Sequence, residues 1–179
     1  MQTVKMVITG PFSSGKTEFI RSISEISVVS TDRKITSEAE KIKETTTVAM
    51  DFGRITVDDD LVLYLFGTPG QKRFDFMWEI LSEGMLGFVV LVDSSRPETF
   101  REARSILETF RAYAPTPYIV AANKQDREDA WSVDDIKIAL RLDPKIKILP
   151  CVAVNKQTVK AVLLELLYCI LAEMEAGEL

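Results

Sequence analysis

A six-stranded, mostly parallel α/β fold flanked by helices follows from three observations. Strand-like and helix-like segments alternate along nearly the whole chain. The run from Met85 to Val92 carries no charge and ends at Asp93, as a central strand covered on both faces requires. Between a strand pattern and a helix pattern lies Gly10-Pro11-Phe12-Ser13-Ser14-Gly15-Lys16-Thr17, which fits the phosphate-binding loop G-x-x-x-x-G-K-[ST].

The elements follow in order. Val4–Gly10 reads as the first strand and Gly15–Glu25 as the first helix. Residues 27–46 are polar and charged without a period, and so long a stretch inside a compact fold is expected to be functional or mobile. Val48–Val57 reads as the second strand. Asp58-Asp59-Asp60 then makes a tight turn into Leu61–Phe66, so the second and third strands form an antiparallel hairpin. The three aspartates could hold a metal, but a solvated hairpin tip is the simpler assignment. Met85–Asp93 is the fourth strand. Pro97 opens a helix in which Phe100, Ala103, Leu107 and Phe110 keep helical spacing. Pro117–Ala122 is the fifth strand. Ser132 caps a helix to Leu140, with Asp135 in the capping-box place. Ile146–Val152 is the sixth strand. Asn155 caps a last helix whose face of Val159, Val162, Leu163, Leu166, Leu167, Ile170 and Met174 is core. No repeat, linker or second domain is apparent, so residues 1–179 read as one domain.

The loop at 10–17 has a physical purpose. Gly10 and Gly15 let the backbone curl, so that N–H groups near Ser13 and Ser14 face a phosphate. The helix start adds the positive end of its dipole. Lys16 then reaches the outer phosphates, and the Thr17 hydroxyl is placed to bind Mg²⁺. A second motif, Asn123-Lys124-Gln125-Asp126, follows the fifth strand, where ligands bind in open parallel sheets. A carboxylate only accepts hydrogen bonds. Guanine offers two adjacent donors there and adenine does not, so Asp126 can select guanine. The Lys124 stem can cover a base face, and Asn123 can tie this loop to the phosphate loop.

Bulk properties remove several function classes. The net charge of −5 weighs against a nucleic-acid face. With no histidine, imidazole catalysis and imidazole metal ligation are excluded. Cys151 and Cys169 lie in apolar surroundings without metal spacing and read as buried thiols in a reducing, cytoplasmic setting. The chain shows no signal-peptide pattern, no span-length apolar run and no lipidation motif. No direct membrane anchor is expected.

In motif order and spacing the chain resembles the Ras-like small GTPases over nearly its full length. The resemblance implies a P-loop NTPase fold with strand order 2-3-1-4-5-6, strand two antiparallel at the edge. It implies GTP/GDP binding with Mg²⁺ and slow GTP hydrolysis. Thr47-Val48-Ala49-Met50-Asp51-Phe52 is similar to a first switch, whose threonine binds Mg²⁺. Thr47 fills that place, with Thr45 and Thr46 as neighbours able to substitute. Gly67-Thr68-Pro69-Gly70-Gln71 is similar to a second switch. By that match the Gly70 N–H meets the γ-phosphate and Gln71 orients water. Cys151-Val152-Ala153 stands at the weak third base motif, with the Ala153 N–H approaching the guanine oxygen. Arg33, Arg54 and Arg73 are candidates for a cation supplied in cis.

The chain also departs from the family. Gly67 replaces the second-switch aspartate that helps hold Mg²⁺, and Asp51 is a candidate substitute. Val154 replaces a lysine that supports the base. Phe12 occupies a normally small position beside the γ-phosphate. The switch sequences look like a prokaryotic branch that includes gliding-motility polarity GTPases and GTPases encoded beside roadblock-domain proteins. The same pattern is similar to GTP-binding proteins of actinobacterial signalling operons. A roadblock-type partner reading residues 30–54 and 67–83 is therefore expected. The alternatives are a nucleotide-bound interaction protein with negligible turnover and a P-loop ATPase.

Overall fold

The computed structural model describes residues 1–30, 50–70 and 75–179. Its strands are β1 (Gln2–Thr9), β2 (Val29–Ser30), β3 (Asp51–Asp58), β4 (Leu61–Gly67), β5 (Gly87–Asp93), β6 (Tyr118–Asn123) and β7 (Ile148–Pro150). The helices are α1 (Lys16–Ile23), α2 (Phe76–Ser82), α3 (Phe100–Tyr113), α4 (Val133–Ala139) and α5 (Lys156–Ala176). They form one sheet in the order β2-β3-β4-β1-β5-β6-β7. β3 runs antiparallel to β2 and β4, and the other neighbours are parallel. The six expected strands thus take the expected order. The addition is the two-residue β2, which pairs with the start of β3.

Alternation along the strands builds two apolar layers. Met6, Ile8, Leu63, Leu65, Val89 and Leu91 face α1 and α5. Val7, Phe88, Val90 and Val92 face α3 and α4. Every residue of β5 is buried, which explains its unbroken apolar run. The parallel strands β1, β5 and β6 end on one edge of the sheet, and their loops converge there.

Both anticipated caps are present. The Ser132 hydroxyl accepts from the Asp135 N–H at 3.1 Å, and Asn155 Oδ1 accepts from the Gln157 N–H at 3.0 Å. The apolar face of α5 is buried from Val159 to Ile170. Met174 was expected in that core but is 47% exposed, because the helix outruns the sheet there. Helix α2 was not expected. It buries only Leu81 and Ser82, and its Phe76 and Ile80 are exposed, so no apolar stripe marks it. Cys151 is buried, whereas Cys169 is only partly so. Among the described residues no helix is long and apolar enough to cross a membrane.

The sheet meets α1 at close quarters. A Cβ at Gly53 would lie 2.5 Å from Ile20 Cγ2 and 3.2 Å from Ser24 Cβ. Ser24 Oγ also accepts from the Arg54 N–H at 3.1 Å, and the Glu25 N–H donates to Arg54 O at 2.9 Å. Gly53→Ala should therefore overpack the α1–β3 contact and cost about 1–3 kcal/mol. Urea unfolding should show this as a lower midpoint with an unchanged slope.

Candidate functional site

The phosphate-loop residues form a curled backbone at the sheet edge. Gly10 and Gly15 have φ of 146° and 105°, a region that favours glycine. Side chains there would also collide: a Cβ at Gly10 falls 2.3 Å from Leu91 O, and one at Gly15 falls 2.3 Å from Asn123 Nδ2. Ser13 is left-handed as well, with φ of 61°. Among the described residues the N–H groups of Gly15, Lys16 and Thr17 find no backbone acceptor. The first to bond back is that of Phe19, to Gly15 O at 2.9 Å. Free N–H groups at the head of α1 make an anion cradle. The Ser14 hydroxyl at its wall is buried without a partner.

Lys16 is folded onto this loop. Its ammonium donates to Gly10 O and Pro11 O, both at 2.7 Å, and the residue is 8% exposed. Burial lowers its pKa from 10.5 to about 8, while the Asp51 and Glu102 charges pull it upward.

The second loop is bound to the first. Asn123 Nδ2 donates to Ser14 O at 2.8 Å, and Asn123 Oδ1 accepts from the Ala153 N–H at 2.9 Å. The Ala153 N–H, expected to approach a base oxygen, is therefore already engaged. Lys124, with φ of 62°, donates to Ser13 O at 3.1 Å and to Asp93 Oδ2 at 2.6 Å. Burial alone would raise the Asp93 pKa, but hydrogen bonds from Lys124 and Ser95 outweigh it and hold the carboxyl below its ordinary value. The Val152 N–H donates to the Thr158 hydroxyl at 3.0 Å, and that hydroxyl lies 2.8 Å from Val152 O, to which it can donate. Asp126 is exposed, and among the described residues its carboxylate has no hydrogen-bond or ionic partner. Val154 is 72% exposed beside this loop.

The third strand end brings Gly67 and Gly70 to the same edge. The Thr68 N–H donates to Ile8 O at 2.9 Å, and its hydroxyl donates to that of Thr9 at 2.8 Å. The Trp78 ring N–H donates to Pro69 O at 3.2 Å and ties α2 to this loop. A Cβ at Gly70 would lie 2.9 Å from Phe12 Cα and 3.1 Å from Lys16 Nζ. Phe12 is 57% exposed, with its ring against Gly70. The Thr17 hydroxyl donates to Asp51 Oδ2 at 2.5 Å.

Not every candidate is gathered here. Asp51 and Gly53 face α1, so strand alternation turns Arg54 to the opposite face of β3, across from Tyr64. Its Nε is buried without a hydrogen-bond partner, and the structure does not bring it to the loop. Arg33, Thr47 and Gln71 lie outside the described residues, as do Thr45, Thr46 and Arg73. The hairpin aspartates 58–60 form no metal site, since among the described residues no three acidic, cysteine or histidine side chains gather to hold an ion. Asp93 is the residue that sequence reasoning missed. Its only signal was its place at the end of β5, paired in the ladder with Asn123.

A chain of phosphates fits the cradle on structural grounds: unsatisfied N–H groups, an orphaned Ser14 hydroxyl and one buried ammonium. Comparison with known proteins points the same way. The family described as "conserved hypothetical ATP binding protein" matches residues 31–172, a stretch that begins after the phosphate loop. An uncharacterized protein of Methanocaldococcus jannaschii is 32% identical over 154 residues, 86% of this chain and 88% of its own length. ADP-ribosylation factor-like protein 3 of Saccharomyces cerevisiae is 29% identical over 136 residues, 74% of this chain and 65% of its own. Human ADP-ribosylation factor-related protein 1 is 31% identical over 100 residues, 54% of this chain and 49% of its own. These likenesses support nucleotide binding and a relationship to the P-loop GTPases, and the chain belongs to the conserved hypothetical ATP-binding protein family.

Proposed function

We propose that residues 1–179 form a single G domain acting as a guanine-nucleotide switch in the cytoplasm. It binds GTP and GDP with Mg²⁺ and hydrolyses GTP slowly. The observation that carries this reading is the Asp126 carboxylate, unpaired among the described residues, at the end of a loop whose Asn123 and Lys124 are bonded to the phosphate loop. An acceptor-only group held at a fixed distance from a phosphate cradle matches guanine's paired donors. The bound ion would polarise the phosphates and neutralise charge developing on them. Thr17, with Thr47, would hold it. Lys16 would leave its two carbonyls for the phosphates, and the Gly70 N–H would meet the outermost one. Gln71 would orient water, with Arg33 or a partner's arginine supplying positive charge. The state would be read through residues 30–54 and 67–83. The switch sequences favour the prokaryotic branch and a partner of roadblock-domain type.

Two other readings have support. The family's description favours ATP, and the Phe12 ring against Gly70 favours a nucleotide-bound interaction protein without turnover. Base choice is tested by calorimetric titration with GTP, XTP and ATP. The wild type should prefer GTP. Asp126→Asn should lose about 2–4 kcal/mol of GTP affinity and gain preference for xanthine. Equal binding of ATP and GTP would reject the guanine assignment.

The buried ammonium predicts a pH dependence with opposite signs for binding and stability. Without nucleotide, Lys16 loses its proton through about pH 8, so GDP affinity should fall as pH rises past 8, with a proton taken up on binding. Between about 8 and 10.5 the unfolded chain holds a proton that the folded chain lacks, so this group's contribution to nucleotide-free stability rises with pH. Lys16→Ala should remove both slopes and weaken GDP by about tenfold or more, as loss of a charge-assisted contact implies. Titration and thermal melting across pH 7–10 measure the two slopes. GDP affinity within twofold of wild type for Lys16→Ala would count against the loop's role.

Turnover should be slow, below about 10⁻² s⁻¹, because Phe12 crowds the reacting phosphate and no cis arginine is in place among the described residues. Single-turnover assays should show Phe12→Gly raising the basal rate and Gln71→Leu abolishing stimulation by a partner. A wild-type rate already near about 1 s⁻¹ and indifferent to any partner would reject this reading.

A further inference from the structure

The Asp51 carboxylate is out of place for an ordinary strand residue. It sits at the start of β3, is 8% exposed, and among the described residues accepts one hydrogen bond, from the Thr17 hydroxyl at 2.5 Å. No ion pair among the described residues includes it. The Lys16 ammonium lies within its field but is bonded to Gly10 O and Pro11 O instead, so the buried carboxylate has no cation in direct contact among the described residues and is suited to one. Its field already reaches Lys16, whose proton it helps to hold.

Its partner in the ladder is Gly67. A Cβ at Gly67 would lie 3.0 Å from Asp51 Cβ and 3.3 Å from Asp51 Oδ2. Gly67 therefore vacates the space that the aspartate occupies. The two positions share one site, and a carboxylate can enter it from either strand but not comfortably from both. From Asp51 we infer that the Mg²⁺ carboxylate of this nucleotide site is delivered from β3, one rung across the ladder, with Gly67 as the required gap.

The chemistry is specific. A hydroxyl has one proton and two lone pairs. Asp51 takes the proton of Thr17, which leaves the oxygen's lone pairs free for a cation. Hard cations of this size are bound by one or two carboxylates together with substrate phosphates rather than by a full protein cage. That suits a region where no three acidic, cysteine or histidine side chains cluster among the described residues. Asp51 is a positioning residue here, orienting Thr17 and supplying charge beside the ion.

This inference rests on the nucleotide-site reading above, and the experiment separates the two. Dissociation of a fluorescent N-methylanthraniloyl GDP is followed while free Mg²⁺ is varied with EDTA, for wild type, Asp51→Asn, Gly67→Asp and Asp51→Gly/Gly67→Asp. Asp51→Asn keeps the shape and an acceptor for Thr17 but loses the charge. Its Mg²⁺ requirement for slow release should rise by about 10–100-fold, as for other residues that support a metal ligand. Metal-free GDP binding should stay within about threefold of wild type, since the phosphate contacts remain. Gly67→Asp alone should lower thermal stability through crowding. The double variant should restore both stability and the wild-type Mg²⁺ requirement. An unchanged Mg²⁺ requirement in Asp51→Asn, with GDP still bound, would overturn the inference and leave the nucleotide reading intact. A folded double variant that stays as defective as Asp51→Asn would also overturn it. No binding of the probe by the wild type would overturn both.

Discussion

One side-chain amide holds three loops of this protein in register. Asn123 donates to the backbone of the loop after β1 and accepts from the backbone after β7, while its own backbone ends β6. Both contacts are buried, so loss of the amide would strand a carbonyl and an N–H away from water. Gly15 is tied to this arrangement, because a Cβ there would occupy the place of the amide nitrogen. Every later feature of the site assumes this clamp. The distance between the phosphate cradle and Asp126 is fixed by it, and so is the length of ligand that can join them.

Charge is arranged around the clamp in two partly separate cells. Lys124 and Asp93 form a part-buried pair under the second loop, where the lysine also donates to Ser13 O. Lys16 occupies the other cell, with Asp51 and Glu102 as its nearby opposite charges and two carbonyls as its acceptors. In each cell a cation of one loop is bonded to the backbone of the phosphate loop. These bonds brace the curled form of the loop, which lowers the ordering cost of binding an anion.

The sheet and most helices were legible because their apolar periods are long and unbroken, as in β5 and in α5 up to Ile170. Caps at Ser132 and Asn155 were legible because a capping bond is local. Short elements escaped. β2 has two residues, and α2 follows the Gly67–Gln71 motif closely with Phe76 and Ile80 exposed, so it shows no clear apolar stripe. Within the site, the two loops were marked by their motif spacing, whereas the Asp93–Lys124 pair joins the end of β5 to the loop after β6 and leaves no local trace. Arg54 is placed by a feature that motif spacing does not carry. It was a candidate from its place in the second strand, and strand alternation turns its side chain to the face opposite Asp51. The Asp51–Gly67 pairing shows the reverse case, where a missing carboxylate and a surplus one are neighbours only across the ladder.

The two carbonyls that hold Lys16 act as an internal competitor for any ligand that takes the lysine. An incoming phosphate must displace bonds of 2.7 Å that already satisfy the ammonium, so part of the gross attraction is spent on exchange. Equally, a departing ligand leaves no stranded buried cation behind, because the carbonyls are within reach of the same side chain. The carbonyls and a phosphate therefore compete for one ammonium, which moderates the net gain from binding. The same ammonium protons are thus contested between the loop's own backbone and any anion that enters it.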